Sequence, residues 1–142
     1  MVHAIVVELT KEINIKLSHI NPDMAKVCIA IIEYVSIAPY KKPHLTFNDL
    51  YRVSPKVEDE TFYDAVFYLT RKNINVLTQE FEAFHPREGF KKVPDREQIL
   101  EDMKNEEFFN PFTGDELNEK EFGEQVLTYF SPSTEFVSKL NG

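Results

Sequence analysis

Two short helical patterns followed by a strand pattern constrain the fold of this chain most strongly. The first pattern, TFNDLYRV, opens on Thr46 and has Asp49 three residues later, the spacing of a capping box with Asp in place of Glu. The second, residues 57–72, reads VEDETFYDAVFYLTRK and has apolar residues at helical spacing. Residues 74–84 are β-prone, and the loop around Gly89 can turn them back into a partner strand. The sequence therefore predicts helix, turn, helix and hairpin in that order.

A longer apolar helix is predicted before this segment. Asn21 is a suitable N-cap and Pro22 suits the first helical position. Apolar residues then recur at helical spacing as far as Val35, and Pro39 follows the end of the pattern. We expect this helix to be the centre of the core. Cys28, the single cysteine, lies in its apolar run, which indicates a buried thiol and excludes an internal disulfide.

The N-terminal segment alternates apolar and polar residues over positions 4–9 and 13–17. A strand with one buried face has this period. The polar residues 10–12, TKE, are either a hairpin turn or a bridge within one long strand. We therefore expect an N-terminal strand or hairpin, which pairs within the domain or lends its edge to another chain.

Negative charge is concentrated in the last third of the chain. Residues 1–94 contain 12 Lys and Arg and 12 Asp and Glu, whereas residues 95–142 contain 4 and 12. The acids there interleave with aromatic residues, which predicts amphipathic helices; the alternative is an acidic docking face for a basic partner. We expect one helix from Asp95, a turn at FNPFTGDEL, a helix from about Leu117 to Phe130 and one more turn in the tail.

Over about residues 22–93, the order and lengths of these elements resemble the winged helix-turn-helix superfamily. The resemblance implies an α+β fold and a role in DNA binding or in protein contact. We predict a single domain over residues 1–142, with a winged-helix-like core at about 22–93 and an acidic helical extension at about 94–142.

The charge of the second helix conflicts with DNA binding. In DNA readers of this build the second helix opens into the major groove. Here it opens on Glu58, Asp59 and Glu60 and carries Asp64 one turn later, and carboxylates repel phosphate. Acids at a helix start are also favoured by the helix dipole. The cations that DNA binding would use are Lys41, Lys42, Arg71, Lys72, Arg87, Lys91 and Lys92.

Catalytic and metal-binding motifs are missing from the sequence. It contains no GxGxxG, GxxxxGK[ST] or GxSxG pattern, and its four histidines have no metal-ligand spacing. We therefore predict no enzyme activity, no cofactor and no metal site. The chain has no signal-peptide pattern and no apolar run of membrane-spanning length, so we expect a cytoplasmic protein that does not enter a membrane.

These observations favour a protein-interaction module, an accessory or regulatory subunit of a larger assembly, with a basic partner or a second copy of the chain. The predicted contact surface is the exposed side of the second helix: Glu58, Asp59, Glu60, Tyr63, Asp64, Phe67 and Tyr68. One alternative is a dimeric winged-helix transcriptional regulator that binds DNA. Another is a small enzyme with an unrecognised carboxylate site.

Overall fold

A computed structural model describes residues 3–141, which form an α+β structure of seven α-helices and three β-strands. In chain order these are α1 (Ala4–Leu17), α2 (Pro22–Ser36), α3 (Phe47–Val53), α4 (Asp59–Tyr68), β1 (Leu77–His85), β2 (Gly89–Lys92), α5 (Arg96–Lys104), α6 (Glu119–Gln125), β3 (Val126–Pro132) and α7 (Thr134–Asn141). The sheet order is β2-β1-β3, and β1 pairs with β2 in antiparallel register. None of the described helices combines the length and the apolar character needed to cross a membrane.

The chain divides into two compact units. The first unit comprises the residues up to Thr78 together with those from Phe130 on, and the second comprises Gln79–Tyr129. The boundaries fall inside β1 and β3, and not near residue 94 where the charge changes. The residues from Phe130 on therefore belong to the same unit as those up to Thr78.

Helix α2 supplies much of the core of the first unit. The predicted start of α2 is confirmed, because the Asn21 side chain accepts a hydrogen bond from the backbone N–H of Met24 at 3.1 Å and Pro22 is the first helical residue. Its apolar face, from Val27 to Val35, is fully buried and packs against α1 and α4. Burial of this kind stabilises by roughly 1.5–3 kcal/mol for each large aliphatic side chain.

The N-terminal strand or hairpin was a wrong prediction, because residues 4–17 form the helix α1. Val6, Leu9 and Ile13 are buried at intervals of three and four residues, whereas Val7 and Ile15 are exposed. The apolar residues of this segment fit the helical period as well as the strand period. Since residues 10–12 contain no glycine, proline or asparagine to break the backbone, the helix continues through them.

The predicted capping box at the start of α3 is confirmed. The backbone N–H of Asp49 donates to Thr46 Oγ1 at 3.2 Å, and the backbone N–H of Thr46 donates to Asp49 Oδ2 at 3.0 Å. The hydrogen bond from the Thr46 backbone N–H, with smaller contributions from the Thr46 side chain and Arg52, holds the pKa of the Asp49 carboxyl below its usual value. The cap fixes where α3 begins, and therefore where its first residue, Phe47, is placed.

The second predicted helix is shorter in the structure than its sequence pattern. Helix α4 begins at Asp59 and ends at Tyr68 with Leu69 as its C-cap, whereas the pattern runs from Val57 to Lys72. The backbone N–H groups of Val76 and Leu77 both donate to the Leu69 carbonyl, at 2.9 and 3.0 Å, which turns the chain towards β1. The hairpin is confirmed, with Gly89 at φ 74°. The order of elements matches the expected one, and the winged-helix assignment itself stays a prediction.

The helix expected over residues 117–130 was only partly correct. Helix α6 ends at Gln125, and β3 begins at Val126 and lies beside β1. The run VLTYF is rich in β-branched and aromatic residues, which favour a strand when a partner strand is present. The tail then forms α7, whose Phe136 and Leu140 are buried in the core of the first unit. The C-terminal third is therefore not a purely helical extension.

Replacement of two isoleucines tests the helical assignment of α1. Ile13 is fully buried and Ile15 is 67% exposed, although a strand would place both on one face. We expect Ile13→Ala to lower the free energy of unfolding by about 2–4 kcal/mol. The matched variant Ile15→Ala should change it by less than about 0.5 kcal/mol. Urea denaturation followed by circular dichroism measures both, and equal losses would contradict the helix.

Candidate protein-binding surface

The exposed side of α4 brings together six of the seven residues predicted for protein contact. Positions 60, 63, 64 and 67 recur at helical spacing and face solvent, whereas Phe62, Ala65 and Val66 are buried on the opposite side. We call the following group the α4 surface: Glu58, Asp59, Glu60, Tyr63, Asp64 and Phe67. All six are exposed.

Tyr68, the seventh predicted residue, does not belong to this surface. Only 7% of it is exposed, and the Arg71 guanidinium carbon lies 4.9 Å from the centre of its ring. Tyr68 follows buried Ala65 by three residues and therefore lies on the inner side of α4. The prediction of an exposed Tyr68 was wrong because the buried side of α4 covers more of the helix circumference than Phe62, Ala65 and Val66 alone.

Tyr63 and Phe67 are aromatic side chains that remain 45% and 41% exposed. Both pack edge-on against Phe47 of α3. The Phe47 ring centroid lies 5.2 Å from that of Tyr63 and 6.1 Å from that of Phe67. Phe67 also contacts Phe130 at 6.1 Å, and Phe130 contacts Phe47 at 5.1 Å. These contacts hold the exposed rings in one orientation, so little side-chain entropy is left to lose when a partner covers them.

Two aromatic residues next to this surface were missed by sequence reasoning. Tyr51 of α3 is exposed and its ring lies 5.2 Å from that of Phe62, in an edge-on contact. Phe47 is partly buried beneath Tyr63. The signal was present, because Phe47 and Tyr51 stand four apart on the short helix α3 and therefore share a face.

The four carboxylates of the α4 surface lie at and just after the start of the helix. Glu58 is the N-cap residue, and Asp59 and Glu60 occupy the first turn. Within residues 3–141, neither these acids nor Asp64 form an ion pair. The helix dipole stabilises Glu58, Asp59 and Glu60, and the four carboxylates together give this part of α4 a negative potential beside the two rings.

The seven candidate cations for DNA binding are divided between the two units. Lys41, Lys42, Arg71 and Lys72 belong to the first unit, whereas Arg87, Lys91 and Lys92 lie in or beside the β1–β2 turn of the second. Lys91 pairs with Glu88 at 2.6 Å. The seven cations therefore do not belong to one unit.

Lys42 has a structural role in the first unit. Its ammonium donates hydrogen bonds to the carbonyls of Tyr34, at 2.7 Å, and Ile37, and it lies 4.2 Å from the centre of the Tyr34 ring. Burial lowers the pKa of this amine from its usual value. Lys42 thus satisfies carbonyls at the end of α2 and is not a freely mobile contact for phosphate.

Comparisons of the chain with protein-family models, with curated proteins and with solved structures find no match. Within residues 3–141, no group of three or more His, Cys, Asp or Glu side chains is placed to hold a metal ion.

The thiol of Cys28 lies inside the core of the first unit. It is fully buried on α2, and its sulfur is 3.7 Å from the carbonyl oxygen of Ala65 on α4. Burial raises its pKa to about 12. Since the thiolate is the nucleophilic form, this side chain is a packing residue of the α2–α4 contact.

Thiol labelling checks this description of Cys28. Because its pKa is raised to about 12, only about one thiol in a thousand is ionised at pH 9, where an ordinary cysteine is mostly thiolate. We expect negligible reaction with a chromogenic disulfide reagent between pH 7 and pH 9 in the folded protein, and complete reaction in urea. Rapid stoichiometric labelling of the folded chain at neutral pH would contradict it.

Proposed function

We propose that this chain is a cytosolic, non-catalytic protein-interaction module, an accessory or regulatory subunit that binds its partner through the α4 surface. The observation that carries the proposal is the pair of half-exposed rings, Tyr63 and Phe67, fixed by Phe47 and Phe130. Tyrosine is enriched among interface residues that dominate binding energy, and phenylalanine is enriched in interface cores. The acids around the rings supply a polar rim.

The charge of the α4 surface favours a protein partner over a nucleic acid. A helix that enters the major groove reads bases through Arg, Lys, Asn or Gln, and it approaches two phosphate backbones. The start of α4 offers Glu58, Asp59 and Glu60 instead. Carboxylates on a rim next to aromatic rings fit a partner with lysine or arginine around an apolar centre, where they also accelerate association. A second copy of the chain is the other candidate partner.

The order of elements supports a winged-helix reading of residues 22–93. Helices α2, α3 and α4 are followed by the β1–β2 hairpin, and Leu45, just before α3, forms an isolated antiparallel bridge to Phe130 of β3. In a winged-helix protein α4 would be the second helix of the motif. We propose that this scaffold presents α4 to a protein, in the place where related scaffolds present a helix to DNA.

A dimeric DNA-binding regulator is the main alternative. Its support is the pair of exposed cations Arg87 and Lys92 at and near the β1–β2 turn, the wing in this reading. Such a protein would bind duplex DNA at micromolar concentration in physiological salt, and Lys91→Glu with Lys92→Glu would abolish that binding. A small carboxylate enzyme is the remaining alternative, and it would need acids that converge in a pocket.

Replacement of the two exposed rings tests the proposed contact. We expect the double variant Tyr63→Ser with Phe67→Ser to weaken partner binding by at least about thirtyfold, because interface aromatics of this kind contribute about 2 kcal/mol or more. The matched control replaces another exposed pair, Tyr40→Ser with Phe90→Ser, and should bind as the original chain does. Affinity purification from the source cells identifies the partner, and calorimetry or sedimentation measures each affinity.

Two controls make the result decisive. Thermal unfolding shows whether the Tyr63 and Phe67 variant is folded, since both rings also contact Phe47. A folded variant that retains full partner binding or full self-association would exclude the α4 surface as the contact. Salt-sensitive duplex binding that depends on Lys91 and Lys92 would replace the proposal with the DNA-binding alternative.

A further inference from the structure

The second unit contains a cleft of about 320 Å³ that is lined mostly by apolar side chains. Its base consists of Val93, Ile99 and Phe122, which are buried. Phe109 and Phe112, on the loop between α5 and α6, line its more exposed side. A cleft of this size is at the lower end of the range for ligand sites, enough for one or two large side chains.

The loop that forms the exposed side of the cleft is held in place by Asn110. This buried side chain donates hydrogen bonds to the Phe84 carbonyl and to Gln125 Oε1, both at 2.9 Å. It accepts hydrogen bonds from the backbone N–H groups of Phe112 at 2.8 Å and Thr113 at 3.1 Å. Asn110 is only 1% exposed, and both its amide nitrogen and its amide oxygen are hydrogen-bonded. The loop therefore has a fixed conformation, and the cleft is preformed.

The polar side of the cleft is formed by one face of α5. Asp95 caps the helix by accepting from the Gln98 backbone N–H at 3.1 Å, and the Gln98 side chain donates to Asp102 Oδ1 at 2.8 Å. These bonds orient both carboxylates without neutralising them. The nearby cation Arg96 is engaged elsewhere, because it pairs with the nearly buried Glu80 at 2.9 Å.

The charge of the second unit selects among the possible occupants of the cleft. Residues 79–129 contain fourteen Asp and Glu against six Lys and Arg, a net charge of −8, whereas the rest of the chain contains ten of each. A polyanion or an acidic peptide would be repelled by this unit. A basic segment would be attracted to it before contact.

We propose that the cleft of the second unit binds a segment of a partner protein in which lysine or arginine adjoins a large apolar side chain. The apolar side chain lies against Ile99 and Phe122 and is covered by Phe109, and the cation pairs with Asp95 and Asp102. This site lies in a different unit from the α4 surface. Binding at this cleft adds a second partner contact to the proposed function. It does not depend on whether the α4 surface binds a partner.

Selection from a random peptide library displayed on phage, with the full chain as bait, tests the proposal. We expect the enriched peptides to combine lysine or arginine with leucine, phenylalanine or tyrosine. The variant Asp95→Asn with Asp102→Asn keeps both hydrogen-bond acceptors and removes both charges. A synthesised enriched peptide should bind this variant about three- to thirtyfold more weakly, since exposed ion pairs contribute modestly.

The matched control removes the same charge from the same helix outside the cleft. Glu97→Gln with Glu101→Gln should change the affinity less than twofold, whereas Phe109→Ala should weaken binding of the enriched peptides whose affinity depends on Asp95 and Asp102. The Tyr63→Ser with Phe67→Ser variant should bind the peptides normally, which separates this test from that of the α4 surface. The proposal is overturned if no peptide is enriched, if enriched peptides lack cations, or if the two charge variants lose affinity equally.

Discussion

The contact between Phe130 and the segment that leads into α3 is the interaction on which the first unit depends. Phe130 and Leu45 exchange two backbone hydrogen bonds, each of 2.7 Å, and both side chains are buried. The Phe130 ring then packs against Phe47 and Phe67. A residue from near the C-terminus thereby fixes the aromatic cluster on which the exposed rings of α4 rest.

The residues after Phe130 strengthen this connection. The Ser133 backbone N–H donates to the Val76 carbonyl at 2.8 Å, and its hydroxyl donates to the Asn75 carbonyl at 2.6 Å. The same hydroxyl accepts from the Phe136 N–H at the start of α7. The chain end therefore completes the core of the first unit, and residues 79–129 form a unit inserted between its two parts. That inserted unit carries the whole net charge.

Local chemistry explains which elements could be predicted. Three of the predicted features depend only on neighbours within a few residues. They are the Asn21 cap of α2, the capping box of Thr46 and Asp49, and the glycine turn of the hairpin. Helix α1 could not be assigned, because its apolar residues satisfy both periods and only packing against α2 selects one. Strand β3 required a partner strand about 45 residues earlier in the chain, which no local pattern shows.

For the candidate surfaces too, the features that depend on neighbours in sequence could be predicted, and those that depend on distant residues could not. The helical period of α4 was sufficient to place its acids, Tyr63 and Phe67 on the outside, whereas the burial of Tyr68 depends on the width of the packed face. The cleft of the second unit was beyond sequence reasoning. It requires the loop around buried Asn110 to meet α5, whereas FNPFTGDEL by itself indicates only a turn and a helix cap. The cap of the helix that follows is Asn118, just beyond that segment.

Site-specific photo-crosslinking in the source cells tests the central claim most directly. A benzophenone amino acid in place of Tyr63 keeps an aromatic ring at the α4 surface and captures whatever covers it. We expect a covalent adduct with one protein species, either a partner or a second copy, and none when the same group replaces the exposed Tyr40. Capture of nucleic acid from position 63, or equal capture from both positions, would contradict it.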